Sequence, residues 1–214
     1  WAIWSEHGQT DALDLDEYRQ VGQMSQALSL HADEVFESLE TDRQRELCVE
    51  LFQALTVQES ENRGIRRPQQ LKRLCKILEV QAEELIPIID AFRQRGVTFL
   101  MPSSDVVLEG DTVIDISHES LMRVWTRLRR WVEEEAQAVG IYRRLSESAM
   151  LHAQGEAGLY RDPELGIALS WRTARRRNQA WAERYHAGFD AAIQFLDDSR
   201  DAAFLKRRLQ SFRV

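Results

Sequence analysis

Ser117, His118 and Glu119 follow the β-branched run Thr112-Val113-Ile114-Asp115-Ile116 and precede an amphipathic helical stripe that begins at Leu121. The spacing predicts a strand that ends at Ser117 and a helix that opens with His118 and Glu119 in its first turn, Ser117 taking the N-cap position. Free backbone N–H groups and the positive end of a helix dipole gather at such a junction and favour an anion. A histidine there can donate a ring N–H to a phosphate oxygen and respond to its charge. The alternative is local: Glu119 complements the dipole, and His118 caps or packs against its own turn.

Other chemistries lack their residues. There is no G-x-x-x-x-G-K-[ST] and no G-x-G-x-x-G, so the chain carries no phosphate-cradling loop. His7, His31, His118, His152 and His186 form no H-E-x-x-H and no cluster with metal-ligand spacing. His118, Glu119 and Ser120 are consecutive, and helical neighbours at those offsets point apart, which excludes a triad. On this reading the chain is not itself an enzyme, and it holds neither metal nor cofactor.

The elements that must position His118 are helical. The chain has 214 residues, 43% hydrophobic and 29% charged, with 10 Gly and 4 Pro, the composition of a packed globular protein. No apolar run reaches the length of a membrane span. The chain opens at Trp1 with no signal-peptide pattern, so the expectation is a piece of a longer soluble protein. Cys48 and Cys75 sit among apolar residues and fit a reducing cytoplasm. Residues 1–117 carry a net charge of −11 and residues 118–214 one of +4, which predicts two modules.

Residues 1–32 read as an N-terminal arm, with Trp1, Ile3 and Trp4 at one end. From Asp33 a short helix carries Val35, Phe36 and Leu39, and Thr41-Asp42-Arg43-Gln44 has the form of a capping box opening the next helix. Glu59 to Pro68 reads as a polar loop. Helices follow around Leu71–Leu78 and Ala82–Phe92, the second with Pro87 inside it and Gly96 ending it. Val97–Met101 and Thr112–Ile116 then form a hairpin. Helices followed by a hairpin predict a winged helix over 33–117. Beyond it, 118–214 reads as an all-α bundle: one long helix from Leu121 to about Gln154, a break at Gly155 and Gly158, a helix from Pro163 to about Arg177, and terminal helices. The predicted fold is mainly α, a winged helix followed by a helical bundle, with Trp125, Trp131, Trp171 and Trp181 in the core.

The run from Ile114 to Trp131 (IDISHESLMRVWTRLRRW), with Tyr142-Arg143-Arg144-Leu145, Leu159-Tyr160-Arg161, Ala168-Leu169-Ser170-Trp171 and the stretch from Asn178 to Arg200, resembles the novel STAND NTPase type 1 family of bacterial signalling ATPases. The resemblance covers nearly the whole chain, most firmly Asp111 to Arg200. It implies a P-loop NTPase core outside this chain, binding ADP or ATP, and a C-terminal sensor of the WD-repeat kind. It also implies oligomerisation on activation. In the wider class a Met-His-Asp motif occupies this strand-to-helix junction, and its histidine reaches the β-phosphate of ADP in the closed form. By resemblance, Ser117-His118-Glu119 holds that place, with Ser for Met and Glu for Asp, and His118 is the phosphate contact with Ser117 beside it. Val21-Gly22-Gln23 departs from the Gly-Gly expected before the winged helix.

Two other functions compete. A winged helix can read DNA, but the helix before the hairpin carries Glu83, Glu84 and Asp90 against Arg93 and Arg95. A plain connector between domains is the other. The arginines of the second half (Arg127, Arg129, Arg130, Arg143, Arg144, Arg175, Arg176, Arg177) form either a solvated face or a docking surface for the acidic half or another domain, with nucleic acid as the last reading.

Overall fold

The computed structural model describes residues 15–59 and 63–211. The chain is mainly α, as its composition and periodicity predict. Helix α1 spans Leu15–Glu37, α2 Asp42–Ala54, and strands β1 and β2 Thr56–Glu59 and Arg63–Arg66. Strand β3 (Gln69–Gln70) leads into α3 (Leu71–Leu78) and α4 (Ala82–Ala91), and β4 (Leu100–Met101) and β5 (Val113–Ile116) follow. The remaining elements are α5 (Glu119–Val124), α6 (Thr126–Ala153), α7 (Glu164–Ala174), α8 (Gln179–Ala182) and α9 (Phe189–Ser211).

Several local rules act as the sequence indicates. The Thr41 hydroxyl accepts from the Gln44 amide at 3.1 Å, and the Gln44 side chain accepts from the Thr41 amide at 3.3 Å, closing the capping box of α2. Ile114 and Ile116 turn inward while Val113 faces solvent, the alternation a half-buried strand requires. Gly155 takes φ +79 just after α6, where the left-handed turn favours glycine.

Other expectations are corrected. The helix expected from Asp33 begins at Leu15, so the second part of the predicted arm, with Val21-Gly22-Gln23, is α1; Trp1, Ile3 and Trp4 lie outside the described residues. The polar stretch from Glu59 is not all loop: β1 and β2 pair antiparallel, Val57 opposite Ile65 and Thr56 opposite Arg66. Helix α4 runs through Pro87 and ends at Ala91; Gly96, at φ +84, serves the turn into β4 instead. The hairpin gains a third strand, in the order β3-β5-β4, all antiparallel. The long helix breaks at Trp125, whose extended backbone (φ −78, ψ 104) separates α5 from α6.

The boundary at 117/118 falls between β5 and α5, and one buried core crosses it. Phe52 of α2 lies edge-on to Phe92 at 5.0 Å and to Trp125 at 5.1 Å, and Trp125 meets Trp131 at 5.1 Å. Edge-to-face ring pairs at these distances add to the burial of large apolar area. A second aromatic group, Tyr142, Trp171 and Trp181, knits α6 to α7 and α8. No helix among the described residues is long and apolar enough to cross a membrane.

Candidate functional site

The junction singled out by sequence stands where β5 leaves the sheet. Ser117 continues the strand: its amide donates to Phe99 O at 2.9 Å and its hydroxyl to Thr98 O at 2.5 Å. Its oxygen is therefore turned back toward the β4 side and does not cap α5. The N-cap position is His118, extended at φ −137 and ψ 131, with no side-chain cap bond. The His118 side chain is exposed, and no hydrogen bond or ion pair among the described residues engages its ring. Of the local reading, the capping bond from His118 is absent, while Glu119 does stand in the first turn of α5.

Its surroundings are acidic but partly neutralised. Arg66 of β2 donates to Asp115 Oδ2 at 2.9 Å and to Ile116 O at 3.0 Å, and its Nε lies 3.9 Å from Glu119. Helix α5 has six residues before the break at Trp125. So short a helix supplies little macrodipole, and the anion-favouring field expected from one long helix is weaker than the sequence implied. What remains is a solvent-open imidazole on a fixed backbone. Among the described residues no three His, Cys, Asp or Glu side chains converge as a metal site.

A second constellation was not singled out by the sequence. Arg184 follows α8 and its side chain is 1% exposed. Its Nη2 donates to Gln53 O at 3.1 Å and Ala54 O at 2.9 Å, the carbonyls that α2 leaves open at its end. Its Nη1 lies 3.7 Å from Glu135 of α6. Glu135 Oε1 also accepts from the Trp181 indole at 2.7 Å and the Tyr185 hydroxyl at 2.9 Å. Burial, reinforced by the Glu135 charge, pushes the Tyr185 phenol far above its ordinary value, so it stays a donor. The missed signal was Glu135 itself, which falls on the stripe Leu128-Trp131-Val132-Val139 where only apolar residues belong.

The arginines of the second half divide between the first two roles predicted for them. Arg127 pairs with Asp33 at 2.9 Å and Glu37 at 2.5 Å on α1, and Arg175 donates to Gln53 at 2.5 Å on α2. Arg177 lies over the rings of Trp171 and Trp181, while Arg129, Arg130, Arg143, Arg144 and Arg176 are exposed. Between α2, the end of α3 and the 174–178 linker is an open cleft of about 680 Å³ whose walls carry charges of both signs, Arg43, Arg175 and Arg176 among Glu46, Glu50 and Glu79. On α4 the outward charges are Glu83 and Glu84, and the buried Arg93 is spent on Asp90 and on carbonyls of the 102–106 loop.

A family model for Novel STAND NTPase 1 matches residues 1–157, a stretch that includes α1 through α6 and strands β1 to β5. The chain belongs to the novel STAND NTPase 1 family. The STAND match includes the His118 junction and Glu135 and stops just past α6; α7, α8 and α9, with Arg184, lie beyond it. Comparison of this STAND chain with curated proteins and with solved structures yields no match.

Proposed function

We propose that this STAND-family chain is a regulatory segment that holds a nucleoside-diphosphate-bound NTPase core closed and passes on the state of a sensor. The core would lie outside the chain, as would a sensor of the WD-repeat kind. The observation that carries the reading is His118, an exposed ring without an internal partner, on a strand-to-helix junction fixed by Ser117 and Arg66. The order α2-β1-β2-β3-α3-α4-β4-β5, in which β3, β4 and β5 form one three-stranded sheet and β1-β2 a separate hairpin, supports a winged helix as the unit that presents it. The buried bonds of Arg184 and Glu135 support transmission, since a rigid body moves as one. The acidic exposed face of α4 weighs against DNA, because phosphate contacts need cations there.

A clamp of this kind works only if each nucleotide differs in its affinity for closed and open states. One charge-assisted hydrogen bond from His118 to a phosphate oxygen is worth about 1.5–3 kcal/mol, enough to bias the equilibrium about ten-fold or more. The test is His118→Ala in the full-length protein, with ADP retention and basal activity measured. Faster ADP loss with raised activity is expected, and unchanged values of both would overturn the reading. Isothermal titration of ADP into the 214-residue chain alone should show no tight binding; sub-micromolar affinity would place the phosphate loop here and overturn the division of labour.

A further inference from the structure

Arg43, Glu46, Glu50 and Gln53 fall three or four residues apart on α2, so one helix face turns them all toward the open cleft of about 680 Å³. The facing wall is the 174–178 linker, which brings Arg175, Arg176 and Arg177. The linker is tied to both of its neighbours. Arg175 Nη1 donates to Gln53 Oε1 of α2 at 2.5 Å, and Asn178 Nδ2 donates to Lys76 O at 3.0 Å and Ile77 O at 3.2 Å, at the end of α3. Walls fixed in this way lose little entropy in closing on a ligand. The volume falls within the roughly 300–1,000 Å³ of small-molecule sites.

The charges on these walls do not cancel within the protein. Arg43 has Glu46 at 3.7 Å, and Arg175 has Gln53 and, at 3.9 Å, Glu134. Arg177 donates to Trp171 O and lies over the rings of Trp171 and Trp181. Glu50 and Arg176 remain. Both line the cleft, and neither makes a hydrogen bond or ion pair among the described residues. Arg176 is exposed, but Glu50 is half-buried, and desolvation holds its carboxyl above the ordinary value. A carboxylate that burial penalises and no donor meets costs stability in the empty cleft. A cation alone would meet Arg43 and Arg175, whose charges already act on Glu50, and an anion alone would meet Glu46, Glu50 and Glu79. A molecule with one charge of each sign satisfies both walls, and Val49, Ile77 and Leu78 offer apolar surface between them.

We infer that the cleft binds a small apolar zwitterion, an α-amino acid or a short peptide with free termini, with its ammonium group on Glu50 and its carboxylate on Arg176. The ligand adds no net charge, so it leaves the existing Arg43–Glu46 pair in place. Because α2 and α3 lie within the family-matched residues 1–157 and the linker lies beyond them, the bound ligand joins the two parts. The site is separate from the His118 junction and does not depend on the role proposed for it.

The test is an NMR titration of the isotopically labelled 214-residue chain with L-leucine and with the dipeptide leucyl-leucine, each up to about 10 mM, a range that reaches weak affinities. Saturable shifts are expected for amides of 43–53 and 174–178, and the tighter of the two probes assigns the free amino acid or the peptide. The C-terminal amide of that probe, which lacks the carboxylate, and its N-acetyl derivative, which lacks the ammonium, should each bind at least about ten-fold more weakly. Glu50→Gln and Arg176→Ala, with unchanged circular dichroism, should weaken the parent probe by a similar factor. Glu50→Gln should no longer distinguish the parent from its N-acetyl derivative, and Arg176→Ala should no longer distinguish it from its amide. Silence from both probes overturns the proposal. So does an N-acetyl derivative that binds wild type as tightly as its parent, which makes the cleft an anion site, or an amide that does so, which makes it a cation site. Binding that either variant leaves unchanged overturns it as well.

Discussion

The Arg184 guanidinium closes the end of α2 while lying 3.7 Å from the Glu135 carboxylate, so one buried cation joins two helices far apart in sequence. Its three kinds of neighbour, the carbonyls of α2, the carboxylate of α6 and the ring of Tyr185, explain why neither charge is isolated. Removing one member of a buried pair strands the other. Arg184→Ala is therefore expected to cost about 3–5 kcal/mol in urea unfolding. Glu135→Gln keeps an acceptor for Trp181 and Tyr185 but leaves the buried Arg184 cation without its carboxylate, so it too is expected to cost about 3–5 kcal/mol; a near-neutral Glu135→Gln would refute the charge-pair account.

Helix α1 is tied to the rest through Asp33, which accepts from the Trp125 indole at 2.8 Å and pairs with Arg127 at 2.9 Å. Asp33→Ala leaves the indole N–H of a fully buried tryptophan without its acceptor, an expected loss of about 1–3 kcal/mol. Hydrogen exchange should locate the effect: amides of α1 near residues 30–37 should lose protection first, ahead of α2.

Glu50 lies half-buried on the cleft wall, where desolvation raises its carboxyl above the ordinary value despite the opposing charges of Arg175 and Arg43. A carboxyl whose folded value exceeds its unfolded one binds its proton more tightly in the native state. Ionised Glu50 therefore weighs against folding at neutral pH, and that penalty fades as pH falls through the folded value. Glu50→Gln should raise the urea midpoint at pH 7, with the gain shrinking toward about pH 4. A variant less stable than wild type at pH 7, or a gap independent of pH, would contradict this.

Arg93 organises the hairpin loop from beneath, through three carbonyls and Asp90. Arg93→Ala is expected to cost about 1.5–3 kcal/mol, since hydrogen bonds from a charged group are the stronger kind. The amides of 103–112 should exchange faster while β1 and β2 keep their protection. Uniform acceleration across the chain would mean that Arg93 supports the whole core and not this loop.

Periodicity and short-range rules determined much of this protein from sequence alone. The capping box at Thr41, the alternation of Ile114 and Ile116, and the buried tryptophans depend on neighbours three or four residues away, or two in a strand, and these act wherever the chain is. The mainly α class and the family resemblance follow from the same local pattern. Tertiary packing decided the rest. Arg63 to Arg66 lack any strand alternation and pair only because β1 offers a partner. Trp125 continues a helical stripe, yet its backbone turns extended; its ring lies among Phe52, Phe92 and Trp131, and its indole reaches Asp33. Glu135 is tolerated on a buried face because Arg184, Trp181 and Tyr185 arrive from some fifty residues away. Long-range partners leave no periodic trace in a sequence, since a hydrogen bond depends on distance in space and not along the chain.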